Sequence, residues 1–126
     1  MELRDAQCLQ HIQRYCAEIL EAKRRFGNSL DDFLNDLDYQ KSVSFSILQI
    51  GELCGRLSMG FRAQNAGIQW KAIIGMRNIV AHDYGRIEHS VVWNTMENEI
   101  PALQRFCEEH LSSPEAEKLL ADFGQA

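Results

Sequence analysis

Apolar side chains recur along this chain at steps of three and four residues, the repeat of an α-helix with one buried face. Between residues 2 and 26, Leu9, Ile12, Cys16, Ile19, Leu20 and Lys23 fall at these steps, and Gly27 follows as a stop. The pattern predicts an amphipathic helix of about six or seven turns. Asn28 or Ser29 then caps a new start, with Ser29 and Asp32 spaced as a capping box and Phe33, Leu34 and Leu37 anchoring a short segment. From Asp38 to about Met59, Val43, Ile47, Ile50, Leu53, Cys54 and Leu57 predict a second long helix that Gly60 ends, and residues 61–67 read as a connection. A third helix is predicted from about Ile68 to Ala81. A fourth runs from about Ile87 to Leu111, with a kink or break expected near Glu97–Pro101 because Pro101 removes a backbone donor. No stretch alternates like a strand. The fold class predicted is all-α, an antiparallel up-and-down four-helix bundle with a short extra helix, in which residues 1–111 form one domain and 112–126 a tail with helical potential.

At 126 residues the chain has room for one core and not for separate cofactor and substrate domains. Its 45% hydrophobic and 25% charged content argues against disordered, collagen-like and membrane classes. No apolar run is long enough to cross a bilayer, and Cys8, Cys16, Cys54 and Cys107 show no metal-binding spacing. With no charged leader at the start, a cytoplasmic chain with reduced, buried thiols is expected.

The net charge of −5 opposes nonspecific nucleic-acid binding by the whole surface. Its distribution is uneven. Residues 1–60 hold 7 basic and 9 acidic side chains, residues 61–87 hold 4 and 1, and residues 88–126 hold 2 and 8. Arg62, Lys71, Arg77 and Arg86 thus form a basic island opposed by Asp83. Charge alone leaves two readings open: attraction of an anionic ligand, or chance clustering on a solvated face.

The third helix divides this island. At about 100° per residue, Trp70, Ile73, Met76 and Val80 share an arc of roughly 120° that faces the core, whereas Lys71, Gly75, Asn78 and His82 share about 60° on the opposite side. Arg77 lies between the two arcs. Gly75 leaves a gap in the polar stripe where another helix or a ligand backbone can approach. Cleaving RNA without a metal needs a base for the ribose 2′-hydroxyl proton, an acid for the leaving oxygen and cationic donors for the phosphorane-like transition state. Histidine and arginine suit these tasks as residue types. One histidine is not obviously enough, and a two-fold dimer packed through the Gly75 side would supply a second. Spacing alone leaves the other reading open, a solvated helix end on which His82 meets the dipole.

RNIVAHDY, residues 77–84, carries Arg, four residues, His, one residue and Tyr. In this it resembles the HepT-like toxins, a branch of the HEPN superfamily of metal-independent ribonucleases, and QIGELCGRLS (49–58), IQWKAIIGMRNIVAHDYGRIEHSVVW (68–93) and IPAL (100–103) extend the likeness over most of the chain. The resemblance implies a homodimeric RNA endonuclease that needs no cofactor, the toxin of a type VII-like toxin–antitoxin pair. Arg77 would bind the scissile phosphate, Asn78 would position it or the ribose, and His82 would act as general acid and base. Tyr84 matches the tyrosine to which the family's antitoxin, a minimal nucleotidyltransferase called MntA, transfers AMP; the bulk and charge of such an adduct would occlude the site and repel RNA. Lys71, Arg62 and Arg86 are candidates for further RNA or phosphate contacts.

Other residues keep two readings. Glu52 either orients Arg77 or is a solvated glutamate; Tyr84 is an AMP acceptor or a packed helix-end aromatic; the acidic stretch from Glu108 to Asp122 is a solvated face or docks a basic antitoxin surface. Trp70 and Trp93 read as packing, and His11, His89 and His110 as surface residues. The rival function is a non-catalytic helical binding partner of a nucleotidyltransferase; a purely structural bundle is the third. Arg77, Asn78 and His82 together favour the enzyme, since a scaffold has no need of that trio facing away from its core.

Overall fold

The computed structural model describes residues 1–82 and 88–125, in seven helices: α1 (Leu3–Phe26), α2 (Leu30–Leu34), α3 (Leu37–Arg56), α4 (Met59–Gln64), α5 (Trp70–His82), α6 (His89–Leu111) and α7 (Pro114–Gln125). The four long ones, α1, α3, α5 and α6, form the antiparallel bundle. Helix α3 packs against both α1 and α5, α6 closes against α1, and α7 lies across α1. Their apolar stripes meet in one core, in which Leu9, Ile12, Cys16 and Ile19 of α1 share the interior with Val43, Ile50 and Cys54 of α3. Ile73, Met76 and Val80 of α5 and Val92, Met96, Ile100 and Leu103 of α6 complete it. Trp70 and Trp93 are buried packing residues, as their positions predict.

Short polar side chains set most helix starts. Ser29 Oγ accepts the Asp32 N–H at 3.1 Å and Asp36 Oδ1 accepts the Tyr39 N–H at 3.1 Å, each satisfying a backbone donor that the first turn leaves open. Gly27 ends α1 at φ 128°, a left-handed conformation that glycine adopts without strain, and its N–H donates to the Lys23 carbonyl at 3.0 Å.

Four local expectations are corrected. Helix α3 stops at Arg56 rather than Gly60, because Leu57 turns into extended backbone and Ser58 caps a separate α4 that takes up part of the expected 61–67 connection. The stop is fixed from far away: the buried Asp5 carboxylate of α1 accepts the Ser58 N–H at 2.7 Å and its hydroxyl at 2.9 Å. Second, α6 runs unbroken through Pro101; the helix forgoes one backbone hydrogen bond there, while Met96, Ile100 and Leu103 hold it on the core. Third, Phe33 alone anchors α2, since Leu34 and Leu37 are exposed. Fourth, His89 and His110 are partly buried, their rings packing edge-on to Phe33 and against Phe106 respectively. The tail forms α7, tied down by buried Ala116 and an ion pair of 2.8 Å between the Met1 ammonium and Glu115.

All four cysteines are free and buried. Burial pushes the Cys16 thiol up to about 12 and raises Cys8, Cys54 and Cys107 as well, so they behave as apolar packing and not as nucleophiles. Among the described residues, no helix is long and apolar enough to cross a membrane.

Candidate functional site

Helix α5 presents its apolar arc to the core and leaves Lys71, Asn78 and His82 exposed, with Gly75 between them. An added Cβ at Gly75 would meet no atom of the described residues within 4 Å, so among them the gap in the stripe is open space. Arg77 sits at the edge of the core, half-buried against α3. There its guanidinium forms an ion pair with Glu52, and its other terminal nitrogen donates to Asn78 Oδ1 at 3.0 Å. Glu52 therefore takes the orienting position, one of the two roles its sequence allowed. Held from both sides, the planar fork has a defined direction, which matters for binding a phosphate through two oxygens at once. His82, five residues on, is displaced about 7.5 Å along the axis and about 140° around it from Arg77. The two side chains of one chain therefore leave the helix in different directions.

The closeness of α3 and α5 rests on Gly51. A Cβ there would fall 2.1 Å from Arg77 Cβ and 2.7 Å from its Cγ, so only a hydrogen fits beneath the arginine. This residue was readable as a mid-helix glycine in QIGEL, yet nothing local says which side chain lies over it.

Two adjoining clefts flank Asn78. One, of about 230 Å³, is lined by Gly51, Glu52, Gly55, Arg56, Arg77 and Asn78; the other, of about 460 Å³, by Arg62, Trp70, Lys71, Ile74, Gly75 and Asn78. Ile74 lines both. The structure thus gathers Arg62, Lys71, Arg77, Asn78 and Glu52 on one surface and adds Arg56, which counting by chain segment had placed outside the basic island. Tyr84 and Arg86 lie outside the described residues. A further cleft, of about 490 Å³, lies beside the α4–α5 connection and the end of α6 and contains none of the Arg77, Asn78, His82 trio. Among the described residues, no three His, Cys, Asp or Glu side chains converge where they could hold a metal ion.

The sequence profile described as Ribonuclease HepT-like matches residues 7–110. The chain belongs to this HepT-like family. Its matched span includes the whole four-helix bundle except the ends of α1 and α6, together with Arg77, Asn78 and His82. Among HepT-like relatives, a protein of Caldanaerobacter subterraneus subsp. tengcongensis provisionally named an RNase is 32% identical over 82% of this chain and 90% of its own length. Another provisionally named RNase, from Methanocaldococcus jannaschii, is 24% identical over 75% of this chain and 91% of its own. A protein of Thermococcus cleftensis, provisionally named ribonuclease HepT, is 29% identical over 70% and 82%. No solved structure matches the chain at comparable significance.

Proposed function

We propose that this HepT-like protein is an RNA endonuclease that cleaves its substrate without a metal ion and acts as a homodimer. The observation that carries the reading is the open side of α5, where Arg77 is oriented by Glu52 and Asn78 while His82 stands exposed on the neighbouring stripe. In the proposed reaction the ribose 2′-oxygen attacks the adjacent phosphorus. The 2′-hydroxyl proton passes to one histidine, the bond to the 5′-oxygen breaks, and a second histidine protonates that leaving oxygen. Arg77 holds the non-bridging oxygens as charge builds on them, and Asn78 positions the phosphate or the ribose. Two His82 side chains from two copies supply the base and the acid, which the diverging directions of Arg77 and His82 within one chain make reasonable.

The chain is further proposed to be the cytoplasmic toxin of a toxin–antitoxin pair. Its partner would be an MntA-like nucleotidyltransferase that transfers AMP to Tyr84, adding negative charge beside a cationic site. Cleavage of RNA in chelator by the purified protein, with a loss on the order of a hundredfold or more in Arg77→Ala and His82→Ala, is the expected result. Equal cutting by both variants would overturn the nuclease reading. Mass spectrometry of protein co-expressed with its partner should place one AMP on Tyr84; an inhibited complex with an unmodified tyrosine would remove that mode of control.

A further inference from the structure

The two clefts beside Asn78 are one surface, since Ile74 and Asn78 line both. Arg56 stands in the first beside Arg77. Arg62 and Lys71 stand in the second. Against these four cations the lining offers a single carboxylate, Glu52, already engaged by Arg77. Arg56, Arg62 and Lys71 make no ion pair with any described residue. The Nε groups of Arg62 and Arg77 are buried and find no hydrogen-bond partner among the described residues. Between the cations the lining is partly apolar, with Ile74, Gly75 and the largely buried Trp70.

We propose that this surface is the track for one single strand of RNA passing through the site, and that Arg56 is a phosphate-binding residue of it. Arg56 takes a phosphate next to the group held by Arg77, and Arg62 and Lys71 take the backbone as it continues toward the start of α5. Lys71 and Asn78 are seven residues apart on α5, about 10 Å along the axis, which suits a length of strand better than an isolated phosphate. A cationic groove with a partly apolar lining accommodates unpaired bases, whereas a duplex keeps its base faces stacked inside. Only the identity of the strand as RNA rests on the nuclease reading.

The probe is a short, fluorescein-labelled single-stranded oligonucleotide with a 2′-O-methylated backbone, which cannot be cut by attack of its own 2′-hydroxyl. Its affinity for the full chain is read by anisotropy over a range of potassium chloride. Arg56→Gln should weaken binding and flatten the slope of log affinity against log salt by about 0.7, the loss of one phosphate contact on a single strand. Arg62→Gln and Lys71→Gln should do the same, and Lys41→Gln, an exposed cation at the far end of α3, should change neither. Wild-type affinity and slope in Arg56→Gln would overturn the proposal. So would equal losses in Lys41→Gln, equally tight binding of the corresponding duplex, or conversion of a dimer to monomers by Arg56→Gln in sedimentation. Binding with the expected slopes by a protein that leaves unmodified RNA uncut would uphold the track and overturn the nuclease reading.

Discussion

At Gly51 one missing methyl group decides where the arginine of the site stands. Any side chain there must push Arg77 outward, since the space its Cβ would need is already filled by Arg77 Cβ and Cγ. Gly51→Ala is therefore expected to lower the cleavage rate by on the order of tenfold to a hundredfold through misplacement of the guanidinium, and to cost about 1–3 kcal/mol of stability from overpacking. Cleavage measured well below the melting transition, beside denaturant unfolding, separates the two effects. An unchanged cleavage rate would show that the close approach of α3 and α5 does not set the position of Arg77. Arg77, Asn78 and His82 were legible as candidates because each belongs to a local pattern on one helix. Gly51 and Arg56 were not, because their significance lies in what α3 places beside α5.

The elements themselves were set largely by local chemistry, and they depart from expectation where a distant residue intervenes. Asp5 shows how. Burial works against its charge, yet the Ser58 N–H, the Glu2 N–H and the Ser58 hydroxyl favour the ionised form and together hold the carboxyl below the usual carboxylate range. Because the folded chain binds this proton less readily than the unfolded chain does, the stabilisation is complete above the ordinary carboxylate range. It is lost as pH falls through the lowered folded value. Asp5→Asn, whose amide cannot accept all three bonds, should be less stable by about 1–3 kcal/mol at neutral pH. Its deficit against the wild type should shrink as urea unfolding is repeated at increasingly acidic pH; a constant deficit would assign the effect to packing alone. The same contact explains why α3 stops at Arg56, a boundary that Gly60 had seemed to mark. Pro101 makes the converse case, in which a strong local breaker is overridden by the apolar face of α6 seated on the core.

Across the whole molecule, the charge that argued against nucleic acid is not spread evenly. Four cations gather around Asn78 while α7 and the end of α6 carry exposed carboxylates, so the net −5 opposes polyanions broadly while this one surface attracts them. If the functional unit is a dimer in which two such surfaces face each other across the RNA strand, the wild type should sediment at twice 14.5 kDa; a monomer under cleaving conditions would remove the dimer.

By itself, the amino-acid order determined the helical class, the four long helices, their buried faces and the exposed stripe with Arg77 beside it. Each of these is a consequence of the 3.6-residue repeat and of chemistry within a few residues. Tertiary structure alone decided that Glu52 pairs with Arg77, that Gly51 lies beneath it, that Ser58 is held by Asp5 and that Arg56 joins the cationic surface. These depend on the rotation and axial shift of one helix against another, which packing of the whole core sets and no repeat along a single helix records.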